Sequence, residues 1–599
     1  MKLSDYVAAF WADHGITDVF VVTGGGAMHL NDSIGREKRL RYVCCHHEQA
    51  CAIAAEGYAR VAGRPAGVCV TTGPGGINAL NGVFGAWTDS IPMLIVSGQV
   101  KRATCMGSCH LKGLRQLGDQ EADILAMVRG ITKYAVRVDE PAEIRFHLEK
   151  ALHLATTGRP GPCWIDIPLD VQGSEVTPEA LVGFVPEPAP GLAGAALDAV
   201  CDTVLSRLAA ARRPIILVGS GVRLAGAEAV LDRVVHRLSL PVTTAWTAHD
   251  LLDSDDPLAC GRPGTVGDRA GNFTVQNADV LLVIGSRLNI RQVSYNWQAF
   301  APDALMIQVD IDPCELAKPT VRPDLPVVAD AKAFLTSLEA RIEARGFDAA
   351  AHDDWLAWCR ERVKRYPVVL PRHRTCTGSR INPYYFIETL FDRLLADDVI
   401  VCGNGSACVI PFQAGRIKKG QRMFANSGCA SMGYDLPAAL GAAVARGGRR
   451  VICLAGDGSL MMNVQELATV AGMRLPVLLF VLNNDGYSSI RQTQQSFFQG
   501  RLMGSDPSSG VYLPEFTTLG QGFGVPSLTL AGPDFLAGLE DVLAGAGPRL
   551  INVLLDTTQG FEPKLRSRQL PDGRIVSPSL EDMYPFLEPQ ELRTNQCND

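Results

Sequence analysis

The 599-residue chain is poor in charge. Asp, Glu, Lys and Arg make up 20% of it, and acidic residues outnumber basic ones 63 to 56. With a net charge of −7 and no basic stripe, it lacks the electrostatic footprint of a nucleic-acid binder. The one short basic patch, Arg416-Ile-Lys-Lys419, reads as a solvated loop. No apolar run reaches about 18 residues, so no membrane span is expected. The start, Met1-Lys-Leu-Ser-Asp-Tyr6, has no charged region followed by an apolar stretch and a cleavage site, so no secretion leader is expected. Cysteine is plentiful, at 17, but lacks metal-site spacing. Cys44-Cys45-His46-His47 are adjacent and could not close tetrahedrally on one ion. Cys105 and Cys109-His110 have no distant partner pair. Cys69, Cys163, Cys402 and Cys453 sit in apolar segments and read as small buried hydrophobes in a reducing compartment. A cytoplasmic globular protein is expected.

Its length calls for three or four domains. In residues 1–182, helix-like and strand-like segments alternate: 3–14, 19–22, 49–61, 67–71, 77–87 and 93–97. Such alternation predicts a parallel sheet covered by helices on both faces. The Pro-rich stretch 185–191 reads as a linker. A second block, 192–345, carries apolar strands ending in Gly or Asp, such as Pro214–Gly221, Asp279–Ser286 and Ala304–Asp312. A charged helical connector covers 348–366. A third block, 370–560, resembles the first in size and alternation, which hints at an internal duplication without a residue-level repeat. A tail, 561–599, follows and could act as a lid. The fold class expected is α/β, with three doubly wound parallel-sheet domains.

The third block holds the most informative motif. Gly456-Asp457-Gly458-Ser459 follows the apolar run Val451–Ala455, and Asn483-Asn484 ends a second apolar run, Val477–Leu482. The residues between, 461–471, read as a helix. Ligands of open parallel sheets sit beyond the carboxyl ends of the strands. A carboxylate and an amide oxygen there suit Mg2+, which needs few protein ligands when phosphates supply the rest. The glycines let the backbone approach a diphosphate, and a helix N-terminus favours its charge. The bland alternative is a Gly-Asp turn between buried strands. In the first block, Glu48 opens an alanine-rich helix directly after a strand. Burial there would let it share a proton with a ring nitrogen; alternatively it is a helix-start carboxylate favoured by the macrodipole.

Six motifs follow one another along the chain: Gly24-Gly25-Gly26-Ala27, His47-Glu48-Gln49, Thr72–Asn78, Gly158–Pro162 with Ile165–Pro168, Asn426–Met432 with Gly433–Pro437, and the Gly456–Ser459/Asn483–Asn484 pair. In order and spacing they resemble the thiamine-diphosphate (ThDP)-dependent acetolactate synthase family over about residues 1–555. The resemblance implies that Glu48 hydrogen-bonds the aminopyrimidine of ThDP and promotes its imino form. It implies Mg2+ on Asp457, Asn484 and the carbonyl of Gly486, and diphosphate contacts from Asn404, Gly405, Ser406, Gly456, Gly458 and Ser459. Met432 matches the apolar wedge that bends the cofactor, although alone it would read as a core methionine. Gly25 matches a backbone amide facing the reacting centre, and Gln120 a glutamine near the substrate carbonyl. The middle block resembles the family's FAD domain, with Gly219, Ser220, Gly221, Gly285, Arg287, Asp310 and Asp330 at nucleotide contacts and Arg159 added from the first block. Such an FAD would be structural, because carboligation has no net redox change. In the family the pyrimidine-side glutamate and the metal site come from different subunits, which implies a homodimer or homotetramer.

Three departures from the family pattern concern the acceptor. Asp119 stands where the synthases have a phenylalanine. Thr493 aligns with the tryptophan that selects the second oxoacid. The closing segment is replaced by 570–584. The expectation is a carboligase that decarboxylates pyruvate or a similar 2-oxoacid and adds the acyl unit to a carbonyl acceptor larger or more polar than pyruvate, such as a ketone or keto-sugar. A simple 2-oxoacid decarboxylase and a flavin-dependent oxidase are the alternatives.

Overall fold

The computed structural model describes residues 1–597 other than His110, 188–190 and 570–571. The histidine of the second cysteine cluster, part of the 185–191 linker and the start of the altered closing segment therefore lie outside the described residues.

Three parallel sheets form in turn. The first contains β1 (Asp18–Val21), β2 (Arg41–Cys44), β3 (Gly67–Val70), β4 (Met93–Gln99), β5 (Tyr134–Arg137) and β6 (Pro162–Pro168), in the order β2-β1-β3-β4-β6-β5. The second contains β7 (Pro214–Val218), β8 (Val242–Thr244), β9 (Val280–Ile284), β10 (Leu305–Asp310) and β11 (Leu325–Val328), in the order β11-β10-β9-β7-β8. A two-strand hairpin, β12 (Cys376–Thr377) with β13 (Arg380–Ile381), precedes the third sheet. That sheet contains β14 (Val399–Cys402), β15 (Arg422–Phe424), β16 (Val451–Gly456), β17 (Val477–Asn483), β18 (Ser527–Leu530) and β19 (Arg549–Leu554), in the order β15-β14-β16-β17-β19-β18. Counting strands within each sheet, the first and third share one order, 2-1-3-4-6-5. The duplication suggested by their alternation thus reappears as topology. The central strands β3, β4, β14 and β16 are apolar and almost wholly buried, as parallel strands covered on both faces must be.

The outer two sheets share one core. The alanine-rich helix Glu48–Ala62 lies on the equally alanine-rich helix Asp435–Ala445. Their backbones touch at two glycines. A Cβ on Gly441 would lie 1.8 Å from the Ala54 carbonyl oxygen, and one on Gly57 would lie 2.3 Å from that of Ala438. Small residues at this crossing are therefore a packing requirement. The His46 amide adds a tether to the Glu466 carboxylate at 2.9 Å.

One sequence expectation is corrected. Residues 461–471 do not form a continuous helix. A short helix, Asp457–Leu460, ends in turns, and a second begins at Glu466. The cause is Asn463, which is buried and donates to the Gly433 carbonyl 30 positions away, at 2.8 Å. That bond pulls the chain out of helical register.

The tail is a docked strap. β20 (Lys564–Leu565) pairs antiparallel with β23 (Met583–Tyr584), between which lies the small hairpin β21 (Arg568–Gln569) with β22 (Ile575–Val576). Leu580 and Met583 are buried on the middle domain, and Asn272 donates to the Leu580 carbonyl at 2.9 Å. The Leu565 amide donates to the Thr265 carbonyl at 2.7 Å.

Candidate active site

β16 and β17 are neighbours, so their carboxyl ends deliver Asp457 and Asn484 to one place. The Asp457 carboxylate is buried and receives three backbone amides: Gly458 on Oδ1 at 2.7 Å, and Asn484 and Gly486 on Oδ2 at 3.0 and 2.9 Å. Burial outweighs these bonds and pushes the carboxyl up to about 6. Beside it, Asn484 donates its amide nitrogen to Ser406 Oγ at 2.9 Å, which leaves its buried Oδ1 with no hydrogen-bond partner among the described residues. The Gly486 carbonyl accepts from the Ser488 amide at 3.2 Å, so one of its two lone pairs is left over. An orphaned amide oxygen, a destabilised carboxylate and a half-used carbonyl form the oxygen donor set that a hard dication needs. The residues fit Mg2+.

The surroundings fit a diphosphate. After β14 the chain turns at Gly405, where φ is +58°, into the helix Ser406–Ala414. Gly458 allows the Tyr487 ring to approach to 2.2 Å from where its Cβ would stand. Ser459 Oγ accepts from the Gly433 amide at 2.9 Å and donates to the buried Asp435 at 2.6 Å, which ties the Gly433 turn to the Gly456–Ser459 loop. Asn404, Met432 and Thr493 line the same cleft. So do Trp246, Arg291, Gln492, Lys564, Arg566 and Tyr584, which had not been singled out. Only Trp246 carries a local signal, because it lies two residues past the end of β8.

Among the described residues, none from the first domain lines this cleft. Glu48, Gly25 and Gln120 gather elsewhere, around the loop Thr71–Gly76. Glu48 is buried and accepts from Asn78 Nδ2 at 3.0 Å, and a Cβ on Gly75 would lie 3.3 Å from its Oε1. The Gly26 amide donates to Thr71 Oγ1 at 3.1 Å, while Gly25 is exposed, with nothing within 4 Å of a Cβ position. The Gln120 carbonyl oxygen lies 1.9 Å from where Gly73 would carry a Cβ, and Gln120 itself is held at φ +62°, rare for a non-glycine residue. Asp119 is exposed beside it. The adjoining helix Pro74–Thr88 exposes Ile77, Phe84 and Trp87.

A second cleft runs over the carboxyl edge of the middle sheet. Gly219, Ser220, Gly221, Gly285, Arg287, Asp310 and Asp330 line it, with Arg159 from the first domain. Two of its glycines are required by packing, since Cβ atoms on Gly219 and Gly221 would lie 2.3 and 2.8 Å from Gly285 oxygen atoms. Asp330 caps a helix through the Ala333 amide, and Arg159 is bound to Asp312 and Glu315 at 2.9 and 2.8 Å. Arg287 has no carboxylate partner among the described residues, and burial pushes Asp310 up to about 6. A cation at a glycine-rich strand edge fits a nucleotide diphosphate. Trp246 and Ser427 line both clefts, so the two adjoin.

Comparison with known proteins agrees with this geometry. The thiamine pyrophosphate enzyme N-terminal TPP binding domain matches residues 1–127, the central domain residues 201–338 and the C-terminal TPP binding domain residues 403–553. A probable acetolactate synthase 2, chloroplastic, of Oryza sativa subsp. japonica is 34% identical over 586 residues, covering 94% of this chain and 85% of that protein. A probable acetolactate synthase large subunit of Methanocaldococcus jannaschii is 32% identical over 580 residues, covering 94% and 93%. The acetolactate synthase large subunit of Parasynechococcus marenigrum is 33% identical over 558 residues, covering 90% and 85%. No helix among the described residues is long and apolar enough to cross a membrane. A metal–diphosphate cleft on one domain, a buried glutamate opening a helix on another and similarity along almost the whole length place this chain in the thiamine pyrophosphate enzyme family, among its acetolactate synthase-like members.

Proposed function

We propose that this chain is a ThDP-dependent carboligase that decarboxylates pyruvate or a similar 2-oxoacid and transfers the acyl unit to a carbonyl acceptor. The observation that carries this reading is the orphaned Asn484 Oδ1 beside the buried Asp457, together with Glu48 gathered on the opposite domain. Bound ThDP supplies the electron sink for decarboxylation. Asp457, Asn484 and the Gly486 carbonyl would hold Mg2+, and Asn404, Gly405, Ser406 and Ser459 the diphosphate. Glu48 would hold and return a proton at the pyrimidine, Met432 would wedge the cofactor, and the Gly25 amide and Gln120 would face the developing oxyanion. Since the Glu48 group and the Asp457 cleft are separate on one chain, two copies would complete two sites. The apolar residues on Pro74–Thr88 support a homodimer, or a tetramer built from it.

The middle cleft is read as an FAD site with a structural role. The contiguity of the two clefts also favours a second reading, a flavin-dependent oxidase. The working units are 1–182, 192–345 and 370–560, with the strap 561–599. Apart from Cys597, the cysteines of the described residues are unbridged thiols, which suits a reducing compartment such as the cytoplasm. Mass analysis of products from pyruvate with a panel of ketone acceptors, with oxygen uptake followed in parallel, tests the assignment. Carbon–carbon bond formation without oxygen uptake supports the carboligase, whereas oxygen-dependent loss of pyruvate without a coupled product overturns it.

A further inference from the structure

The cleft around Asp457 carries a charge imbalance. Among the described residues its lining holds three cations, Arg291, Lys564 and Arg566, and one carboxylate, Asp457. Mg2+ and the thiazolium would offset the cofactor's diphosphate, so Asp457 is left to balance one of the three cations, and two remain. None of the three cations has a carboxylate partner among the described residues. Lys564 Nζ donates only to Gln492 Oε1, at 3.2 Å, and Arg566 stacks 5.2 Å from the Tyr584 ring. Burial and then the neighbouring Arg566 lower the Lys564 ammonium, against a smaller opposing effect of the Glu562 carboxylate, which is itself engaged by Arg372 and His373. An oxoacid donor brings one carboxylate, which Arg291 can meet. Asp119 of a second copy would offset at most one further charge.

The two strap cations are held in place. The Gln413 side chain donates to the Pro563 carbonyl at 2.6 Å, the Glu562 amide to Tyr384 Oη at 2.8 Å and the Leu565 amide to the Thr265 carbonyl at 2.7 Å. Around them the wall mixes the polar Gln492, Thr493, Gln495 and Ser567 with the apolar Phe497 and Phe561, and Lys564 Nζ lies 5.9 Å from the Phe561 ring. Two cations two residues apart on one tethered segment match a dianion better than a carboxylate. A phosphate ester carries nearly two negative charges at neutral pH and three strong acceptor oxygens.

We propose that Lys564 and Arg566 form an anion subsite for the carbonyl acceptor, and that the acceptor bears a phosphate or diphosphate group. This rests on the carboligase reading and names the substrate class of that site. The test uses enzyme loaded with ThDP and Mg2+, pyruvate as donor and a matched pair of acceptors, hydroxyacetone and hydroxyacetone phosphate. A nucleoside-diphosphate-linked ketone forms a third arm that distinguishes monoester from diphosphate recognition. The expected result is at least a tenfold preference in kcat/KM for a phosphorylated acceptor. The K564Q/R566Q double variant should lose it through a raised KM, with hydroxyacetone little affected. Equal use of all acceptors by the parent enzyme, or a preference that survives the double substitution, overturns the subsite. Calorimetric titration of the loaded enzyme with hydroxyacetone phosphate gives a readout independent of turnover, and binding should weaken at least tenfold in the double variant. If pyruvate is not decarboxylated at all, the carboligase reading fails, while the titration still decides the subsite.

Discussion

Replacing Asp457 by asparagine separates the metal-binding role proposed for this carboxylate from its cost to the fold. Its carboxyl is pushed up to about 6 by burial, against an ordinary value near 3.9 in an unfolded chain. The folded state therefore holds the proton more tightly than the unfolded one, so the metal-free enzyme gains stability as pH falls through 6 and loses it as pH rises. Linkage puts the cost of the ionised form at about 3 kcal/mol at pH 7.5 and about half that at pH 5. An asparagine removes this cost. Its single oxygen can keep the Asn484 and Gly486 amides, but its amide group then faces the Gly458 amide, a loss of about 1–2 kcal/mol. Metal-free D457N should thus be more stable than its parent at pH 7.5 by about 1–2 kcal/mol and nearly equal to it at pH 5. It should also gain nothing from Mg2+ and ThDP, which should stabilise the parent. Paired urea titrations at the two pH values, with and without cofactor, read these differences. If D457N is less stable by the same amount at both pH values, the carboxylate is not a strained metal ligand and the reasoning fails.

Glu48→Gln should lower carbon dioxide release from pyruvate by about 10²–10⁴-fold. Its remaining oxygen can still accept from Asn78, so calorimetry should find ThDP affinity within a few-fold of the parent, and near-parental turnover would refute the proton role. Gly441→Val places atoms on the Ala54 carbonyl, a clash the backbone cannot relieve, and should cost about 3 kcal/mol or more; a urea midpoint equal to the parent's would show that the helix crossing gives way. The purified protein should show a flavin spectrum that Arg287→Ala weakens, and a colourless protein would leave the middle cleft to some other nucleotide.

What was legible in the sequence follows from how far each signal reaches. Asp457 and Asn484 could be paired because parallel strands end on one edge, so two apolar runs fix where their last polar residues meet. Glu48 was legible because a strand, a carboxylate and an alanine-rich helix lie within a few residues. The break after Leu460 was not, because it depends on a bond from Asn463 to Gly433 and no Gly or Pro marks it locally. Arg291, Lys564 and Trp246 reach the cleft from three separate places in the chain, and only tertiary folding brings them to Thr493. The shared order of the outer sheets shows the same division: the two blocks have one alternation and one topology without a residue-level repeat.

The backbone contact between the helices Glu48–Ala62 and Asp435–Ala445 bears on how a complete site can arise. Gly57 and Gly441 bring the two helices together inside a core that unites the first and third domains, and the His46–Glu466 bond adds to it. Turning Glu48 of one chain towards its own Asp457 cleft would open that core. A second copy, docked with reversed polarity on the exposed face of Pro74–Thr88, would supply the missing half and leave every core contact in place. Two inactive variants should then complement each other. In a mixed dimer of E48Q and D457N, one site receives both substitutions and the other receives neither. Random exchange makes about half of the dimers mixed, so activity should return to about a quarter of the parent's. Equal amounts of the two proteins, exchanged under mild denaturant and assayed for carbon dioxide release, give the measurement. If activity stays at the level of the separate variants while chromatography shows that exchange has occurred, both halves of the site belong to one chain.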